Sequence, residues 1–146
     1  MREHEYRGKE IESGKWRYGS LIVCGATDKT YIFEKGHSAN ESEKVGEEGC
    51  LSILTFEVIP ETVGQFTGEN YCNGKRIYEG DIVTYKGIGL PSKGIIEYEA
   101  GGFVVAYAWS LTKKLYWKHL FEENEEHQLK GIGNIHDNPK LLKQVK

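Results

Sequence analysis

The stretch Asn73-Gly-Lys-Arg-Ile-Tyr-Glu-Gly-Asp-Ile-Val83 decides the fold, because it combines two turns with the start of a strand. The pair Asn73-Gly74 suits the positive backbone dihedrals of a tight hairpin turn. In Gly80-Asp81, glycine tolerates a sharp bend and the aspartate can accept backbone N–H bonds inside the turn. We therefore predict that these four residues are structural turn residues and that Ile82 begins a strand.

The sequence before this stretch predicts further strands. Trp16–Gly25 and Thr30–Lys35 are β-prone runs separated by a polar turn, so they predict an N-terminal β-hairpin. Leu51–Ile59 is another strongly β-prone run, which Pro60 follows. The polar segment His37–Gly49 predicts a long loop.

The sequence after it continues the same pattern. Gly101-Gly102 predicts a turn, and Phe103–Trp109 alternates large with small side chains, as where one sheet face packs closely and the other meets a second layer or a partner. The acidic run Glu122–Glu126 is typical of a solvated bend. Asn138-Pro139, followed by two leucines, predicts a short C-terminal helix.

The composition agrees with a β-rich globular protein. Nine Tyr, three Trp and five Phe accompany a single Met, and eighteen Gly accompany three Pro. Aromatic residues favour pleated surfaces, and abundant glycine favours turns over long helices. The 146 residues suffice for one domain or two very small ones.

Charge and cysteine usage exclude several classes of protein. The formal net charge is −3, with 8 basic and 11 acidic residues up to Ile59 and 11 of each after it, so neither half is a cationic nucleic-acid-binding module. Three widely spaced cysteines, Cys24, Cys50 and Cys72, do not form a disulfide framework. Because the N-terminus is charged and no long apolar stretch occurs, we predict a cytoplasmic protein without a membrane partner.

A Gly-Asp turn that enters a Val/Ile strand is also how small SH3-like barrels often begin, because their strands must coil strongly to close. The stretches Val58–Gly68 and Asn73–Val83 resemble the characteristic centre of the YopX-like family, and Ile132–Pro139 resembles its ending. The Trp-x-Tyr-Gly element at Trp16 is also similar to that family. The resemblance covers nearly the whole chain.

The resemblance implies a phage or prophage protein that acts in a bacterial host cell and has no established activity. It implies a mainly β fold with an SH3-like barrel in the C-terminal half. The predicted division is residues 1–59, a β-rich region with the hairpin, and residues 60–146, the barrel region with the C-terminal helix. The alternative is that both regions form one integrated domain.

The residues that could carry chemistry lack the necessary spacing. The five histidines show no close His-x-x-x-His pair and the cysteines no Cys-x-x-Cys pair, so no metal or cofactor is predicted. Asp81 with Glu79 and Glu61 could form an acid–base pair, but a turn role for Asp81 is favoured. We therefore predict no catalytic residues and no enzyme.

One candidate contact surface remains, in which aromatic residues have lysines nearby in the sequence: Phe103, Tyr107, Trp109, Lys113, Lys114, Tyr116, Trp117 and Lys118. Such surfaces can stack the bases of single-stranded nucleic acid. The same rings also serve as core or as subunit interface, which we favour.

The leading hypothesis is a non-enzymatic binding or assembly module that contacts an unknown protein partner, with a homo-oligomer as one form of this. The alternative is a small barrel that binds nucleic acid weakly. A third hypothesis, an enzyme using carboxylates near Asp81, requires that residue to be exposed in a cleft.

Overall fold

The computed structural model describes residues 3–34, 55–85, 92–108 and 115–143. The elements follow in the order β1 (Tyr6–Glu10), β2 (Trp16–Cys24), β3 (Lys29–Phe33), β4 (Thr55–Asn70), β5 (Arg76–Tyr78), β6 (Asp81–Tyr85), β7 (Ser92–Glu99), β8 (Gly102–Ala108), β9 (Leu115–His119), α1 (Leu120–His127), β10 (Lys130–Asn134) and α2 (Lys140–Lys143). The prediction of a mainly β protein is confirmed, and the predicted loop 37–49 lies outside the described residues.

The chain divides into two compact units, Glu3–Gln65 (unit 1) and Phe66–Lys146 (unit 2). Their boundary falls inside β4, whose first part pairs in unit 1 and whose end pairs with β5 in unit 2. The division after Ile59 expected from the sequence stays a prediction.

In unit 1 the strand pairings form a closed cycle. The strands pair antiparallel as β1 with β2, β2 with β3, β3 with β4, and β4 with β1. Val58 of β4 lies opposite Thr30 on one side and Glu10 on the other. The predicted hairpin is confirmed as β2 and β3, with Ser20 opposite Phe33 and Cys24 opposite Lys29. Ile32 and Val58, both fully buried, lie in the core of this unit.

Strand β4 continues through Pro60, whereas the sequence suggested an end at Ile59. The register between β1 and β4 shifts between Arg7 and Lys9. At this irregularity the Thr62 hydroxyl accepts the Lys9 N–H at 2.8 Å and donates to the Ile59 carbonyl at 2.6 Å. Proline has no N–H to contribute to a ladder, and sheets tolerate it where a bulge interrupts pairing.

Unit 2 contains a five-stranded antiparallel sheet in the order β10-β6-β7-β8-β9. Strands β7 and β8 are joined by Ala100-Gly101, whose φ values of 49° and 85° are those of a type I′ turn. The turn is thus one residue before the predicted Gly101-Gly102. Both positive dihedrals match the right-handed twist of the strands that the turn connects.

Strand β8 is buried on both faces. Val105 and Tyr107 belong to the main core cluster of the unit, and Val104 and Ala106 on the other face are buried as well. This agrees with the prediction that one face packs closely while the other meets a second layer. The half-buried Phe103 packs against the core cluster.

The acidic run at 122–126 lies in helix α1, so the predicted solvated bend is wrong. Leu120 is buried at the start of the helix and Leu129 just after its end, and Glu123 is 1% exposed. A helix face that includes a buried glutamate shows no apolar periodicity, so the sequence carries no clear signal of this helix.

The predicted short C-terminal helix is confirmed as α2, one turn long within the described residues. Leu141 and Leu142 are half-buried in it, and the Leu141 N–H donates to the Asn138 carbonyl at 3.0 Å. The Asn138 side chain points back, accepting the Asn134 N–H at 3.2 Å. No helix of the described residues is long and apolar enough to cross a membrane.

Candidate functional site

The Gly80-Asp81 turn connects β5 to β6 and is hydrogen-bonded to β7 and to the residue that follows β10. Gly80 has a φ of 85°, and its N–H donates to the Ile96 carbonyl at 2.8 Å, while its carbonyl accepts the Ile135 N–H at 2.9 Å. Asp81 is 6% exposed, and one of its carboxylate oxygens accepts the Tyr78 N–H at 3.1 Å and the Tyr71 hydroxyl at 2.9 Å. The carboxylate therefore holds the turn from inside.

The Asn73-Gly74 turn lies between β4 and β5 and positions Tyr71. The Gly74 N–H donates to the Tyr71 carbonyl and the Tyr71 N–H to the Lys75 carbonyl, each at 2.8 Å. Gly74 has a φ of 81°, and the Asn73 side chain accepts the Lys75 N–H at 3.0 Å. This is a three-residue hairpin loop with glycine in the left-handed position, rather than a two-residue turn.

Side chains pack closely against the backbone of the Gly131-Ile-Gly133 segment. A Cβ at Gly131 would lie 2.9 Å from the Cζ of Tyr71, and a Cβ at Gly133 would overlap the Asn138 side chain. The two glycines therefore leave room for the Tyr71 ring and for the Asn138–Asn134 hydrogen bond.

The three carboxylates considered as an acid–base group are in different surroundings. Asp81 is buried against its two donors, Glu79 is half-buried and Glu61 is exposed. The charge of Glu79 also acts on a fourth carboxylate, Glu97. Burial raises the pKa of Glu97, and the charges of Glu99 and Glu79 raise it further. A general acid or base needs access to its substrate, and Asp81 offers almost no exposed surface for that.

A second tyrosine–carboxylate pair, which sequence reasoning missed, lies in the core of unit 2. The Tyr107 hydroxyl donates to the Glu123 carboxylate at 2.7 Å, and both residues are buried. The bond joins α1 to β8. The sequence signal for this pair is the position of Glu123, three residues after Leu120, because residues at this spacing lie on the same face of a helix.

Replacing Tyr107 with phenylalanine is expected to lower the free energy of unfolding by about 1–3 kcal/mol, because a buried carboxylate loses a donor. Urea denaturation measures the change. Tyr98→Phe is the matched control, since Tyr98 is exposed. Equal stability of the two variants would contradict a structural role for the Tyr107 hydroxyl.

Unit 1 contains an ion-pair network around Arg17. Its guanidinium donates to Glu10 at 2.8 Å, contacts Glu34 at 3.5 Å and lies 3.6 Å from the ring centroid of Phe56. The Ser13 hydroxyl also donates to Glu10. Hydrogen bonds from Ser13 and then Arg17 lower the pKa of Glu10 below its ordinary value of 4.5, against the effect of burial.

This lowered pKa predicts a pH dependence of stability. The folded pKa of Glu10 lies below the unfolded one, so its contribution is complete above the ordinary value of 4.5 and is lost as the pH falls through the folded pKa. Glu10→Gln is expected to flatten the fall in melting temperature between about pH 5 and about pH 3. The exposed Glu12→Gln serves as control, and an unchanged slope in Glu10→Gln would count against the assignment.

The structure describes the side chains of only two residues of the contact surface predicted from the sequence, Phe103 and Tyr107, so that surface stays a prediction. Tyr107 is buried and bonded to Glu123, and the ring of half-buried Phe103 packs edge-on against Tyr98 with centroids 5.2 Å apart. For Tyr116, Trp117 and Lys118 the backbone of β9 alone is described, and outside the described residues lie Trp109, Lys113 and Lys114. Within the described residues, the rings of Phe103 and Tyr107 pack inside the unit.

An aromatic face in unit 1 is more accessible. We define it as the large apolar side chains of β2 and β3 that point away from buried Ile32: Trp16, Tyr18, Ile22, Tyr31 and Phe33. They share a face because strand residues alternate and Ile22 lies directly opposite Tyr31. Tyr18 is 44% and Ile22 45% exposed, and the Arg7 guanidinium lies 4.9 Å from the Trp16 ring centroid.

Among the described residues, no group of three or more His, Cys, Asp or Glu side chains could hold a metal ion. The chain is therefore a small β protein of two antiparallel units, in which the buried carboxylate of Asp81 stabilises a turn and that of Glu123 fixes helix α1 to β8. It belongs to the YopX family, whose sequence model, described as YopX protein, matches residues 5–143. The family assignment made from the sequence is confirmed.

Comparison with solved structures agrees on the fold. The chain is similar to the crystal structure of protein EF1440 from Enterococcus faecalis, with a TM-score of 0.52 and 20% sequence identity, over 97% of this chain and 99% of that one. At this identity the similarity concerns the fold. The comparison with curated proteins found no match.

Proposed function

We propose that the protein is a non-enzymatic binding or assembly module that acts through the aromatic face of unit 1. The observation that supports this most is the exposure of Tyr18 and Ile22 beside three further large side chains on one face. Contiguous exposed apolar surface marks interaction sites on soluble proteins, and tyrosine and tryptophan are enriched where such sites bind.

The chemistry of the buried carboxylates supports the non-enzymatic part. Asp81 is bonded to Tyr71 and the Tyr78 amide, and Glu123 to Tyr107. Each bond stabilises a local element, and neither carboxylate reaches an open surface. Contacts with another macromolecule require no reactive group.

The proposal extends to the architecture of unit 2 and to the setting of the protein. The sheet order is β10-β6-β7-β8-β9, so β10, the last strand in the chain, pairs with β6, the first strand of this sheet in the chain. This arrangement supports an SH3-like barrel. The YopX family resemblance supports a phage or prophage protein in the cytoplasm of a bacterial host.

Affinity capture with matched variants tests the binding face. The full chain, Tyr18→Lys and Tyr98→Lys serve as baits in bacterial lysate; both tyrosines are exposed, and they lie in different units. We expect the wild-type chain and Tyr98→Lys to retain the same specific proteins, and Tyr18→Lys to lose them. Retention of the same proteins by a folded Tyr18→Lys chain would contradict the proposal.

A further inference from the structure

Strand β2 pairs with different strands along its two halves. Trp16–Gly19 pairs with β1, and Ser20–Cys24 pairs with β3 on the other edge. Strand β1 begins at Tyr6, opposite Gly19. In the part of the chain that the structure describes, no strand therefore pairs with the β1-side edge of Ser20–Cys24.

This edge is uncharged and mostly apolar, and its Ile22 and Val23 side chains are exposed. Ile22 is 45% and Val23 64% exposed, on opposite faces of the strand. No charged residue occurs between Arg17 and Asp28. Natural proteins protect edge strands with lysine, proline or bulges, and Ser20–Cys24 contains none of these.

We propose that the edge Ser20–Cys24 takes up the same edge of a second copy of this chain, as an antiparallel strand pair related by a twofold axis at Ile22. Unpaired backbone N–H and C=O groups recognise an extended strand, and a twofold pair uses the same patch on both copies. The inference rests on the proposed function, because Ile22 also belongs to the aromatic face.

Charge and shape favour a second copy as the occupant. The twofold places Leu21 of one copy opposite Val23 of the other, so that apolar side chains meet on both faces. Like charges directly opposite each other destabilise a strand pair, and the uncharged run from Tyr18 to Thr27 avoids them. A charged foreign strand would find no ion-pair partner along this edge.

The pairing is weak by itself. A stable interface buries about 800 Å² on each partner, and one short strand on each side supplies well under that area. We therefore expect an equilibrium between one and two copies, with a dissociation constant between about 10 µM and about 1 mM.

Sedimentation velocity of the full chain across that range, about 10 µM to about 1 mM, tests the inference. The wild-type chain and Tyr98→Lys should shift from the mass of one chain to that of two, and Val23→Lys should stay at one. Hydrogen exchange of the wild-type chain gives a second readout, since the amides of Ser20–Cys24 should exchange more slowly as concentration rises.

Three results would overturn the inference: a wild-type chain that stays at one copy, a Val23→Lys chain that associates like wild type, or edge amides protected equally at all concentrations. In the last case residues 3–5 of the same chain would cover the edge. A single-copy chain from which Tyr18→Lys still removes captured proteins would overturn the edge pairing alone. A chain that pairs but whose captured proteins do not depend on Tyr18 would overturn the proposed function alone.

Discussion

Replacing Gly19 with alanine is expected to unfold unit 1. Gly19 is buried in β2, and a Cβ there would overlap the Phe33 carbonyl oxygen and lie 2.7 Å from its carbonyl carbon. These are backbone atoms, and the pairing of Ser20 with Phe33 holds them in place. Overpacking typically costs 1–3 kcal/mol and more where the neighbour cannot move, so we expect a loss of about 3 kcal/mol or more.

Gly25→Ala is the matched control for this substitution. Gly25 directly follows β2, and a Cβ there would meet nothing within 4 Å. The free energy of unfolding of the Gly25→Ala chain should stay within about 0.5 kcal/mol of that of the wild-type chain. Urea denaturation, followed by tryptophan fluorescence, compares the two. A Gly19→Ala chain as stable as Gly25→Ala would contradict the packing of β2 against β3.

Replacing Asp81 with alanine is expected to have the second largest effect, a loss of about 3 kcal/mol. The substitution leaves the Tyr78 N–H and the Tyr71 hydroxyl without their acceptor. Each unsatisfied buried group costs about 1–3 kcal/mol. Asp81→Asn keeps one acceptor oxygen and should lose less.

Thermal and urea denaturation of the Asp81 variants give the comparison, with exposed Glu99→Ala as control. An Asp81→Ala chain as stable as the control would remove the structural role of this carboxylate. Asp81 would then again be a candidate for the acid–base site considered from the sequence.

The features with the clearest signals in the sequence have local causes. The β2–β3 hairpin follows from two β-prone runs around a polar turn, and the hairpin loop at Asn73-Gly74 follows from the freedom of glycine at positive φ. The Gly80-Asp81 turn is of the same kind. In each case residues close in the chain supply both the conformation and its hydrogen bonds.

Strand β1 could not be predicted because the side chains that stabilise it lie on another strand. Its sequence is charged, yet Arg7 and Glu10 are buried, since Arg7 lies on Trp16 and Glu10 pairs with Arg17. A charged run ordinarily indicates solvent. Only the partner residues, brought in by strand pairing, make its burial favourable.

The same reason explains what was missed at the candidate site. The sequence identified Asp81 but not Tyr71, and it assigned Glu123 to a solvated bend because Tyr107 lies on another element. The aromatic face of unit 1 depends on the register that places Ile22 opposite Tyr31. A shift of one residue would turn these side chains to the other face, so the sequence pattern alone did not define the surface.

Site-specific photo-crosslinking in living bacterial cells tests the central claim, a contact function of the aromatic face, most directly. A benzophenone side chain is placed at Tyr18 or, as control, at Tyr98, which is also exposed. We predict discrete cross-linked protein adducts from position 18 and none of the same mass from position 98. The absence of adducts at position 18, or the same adducts from both positions, would contradict the claim.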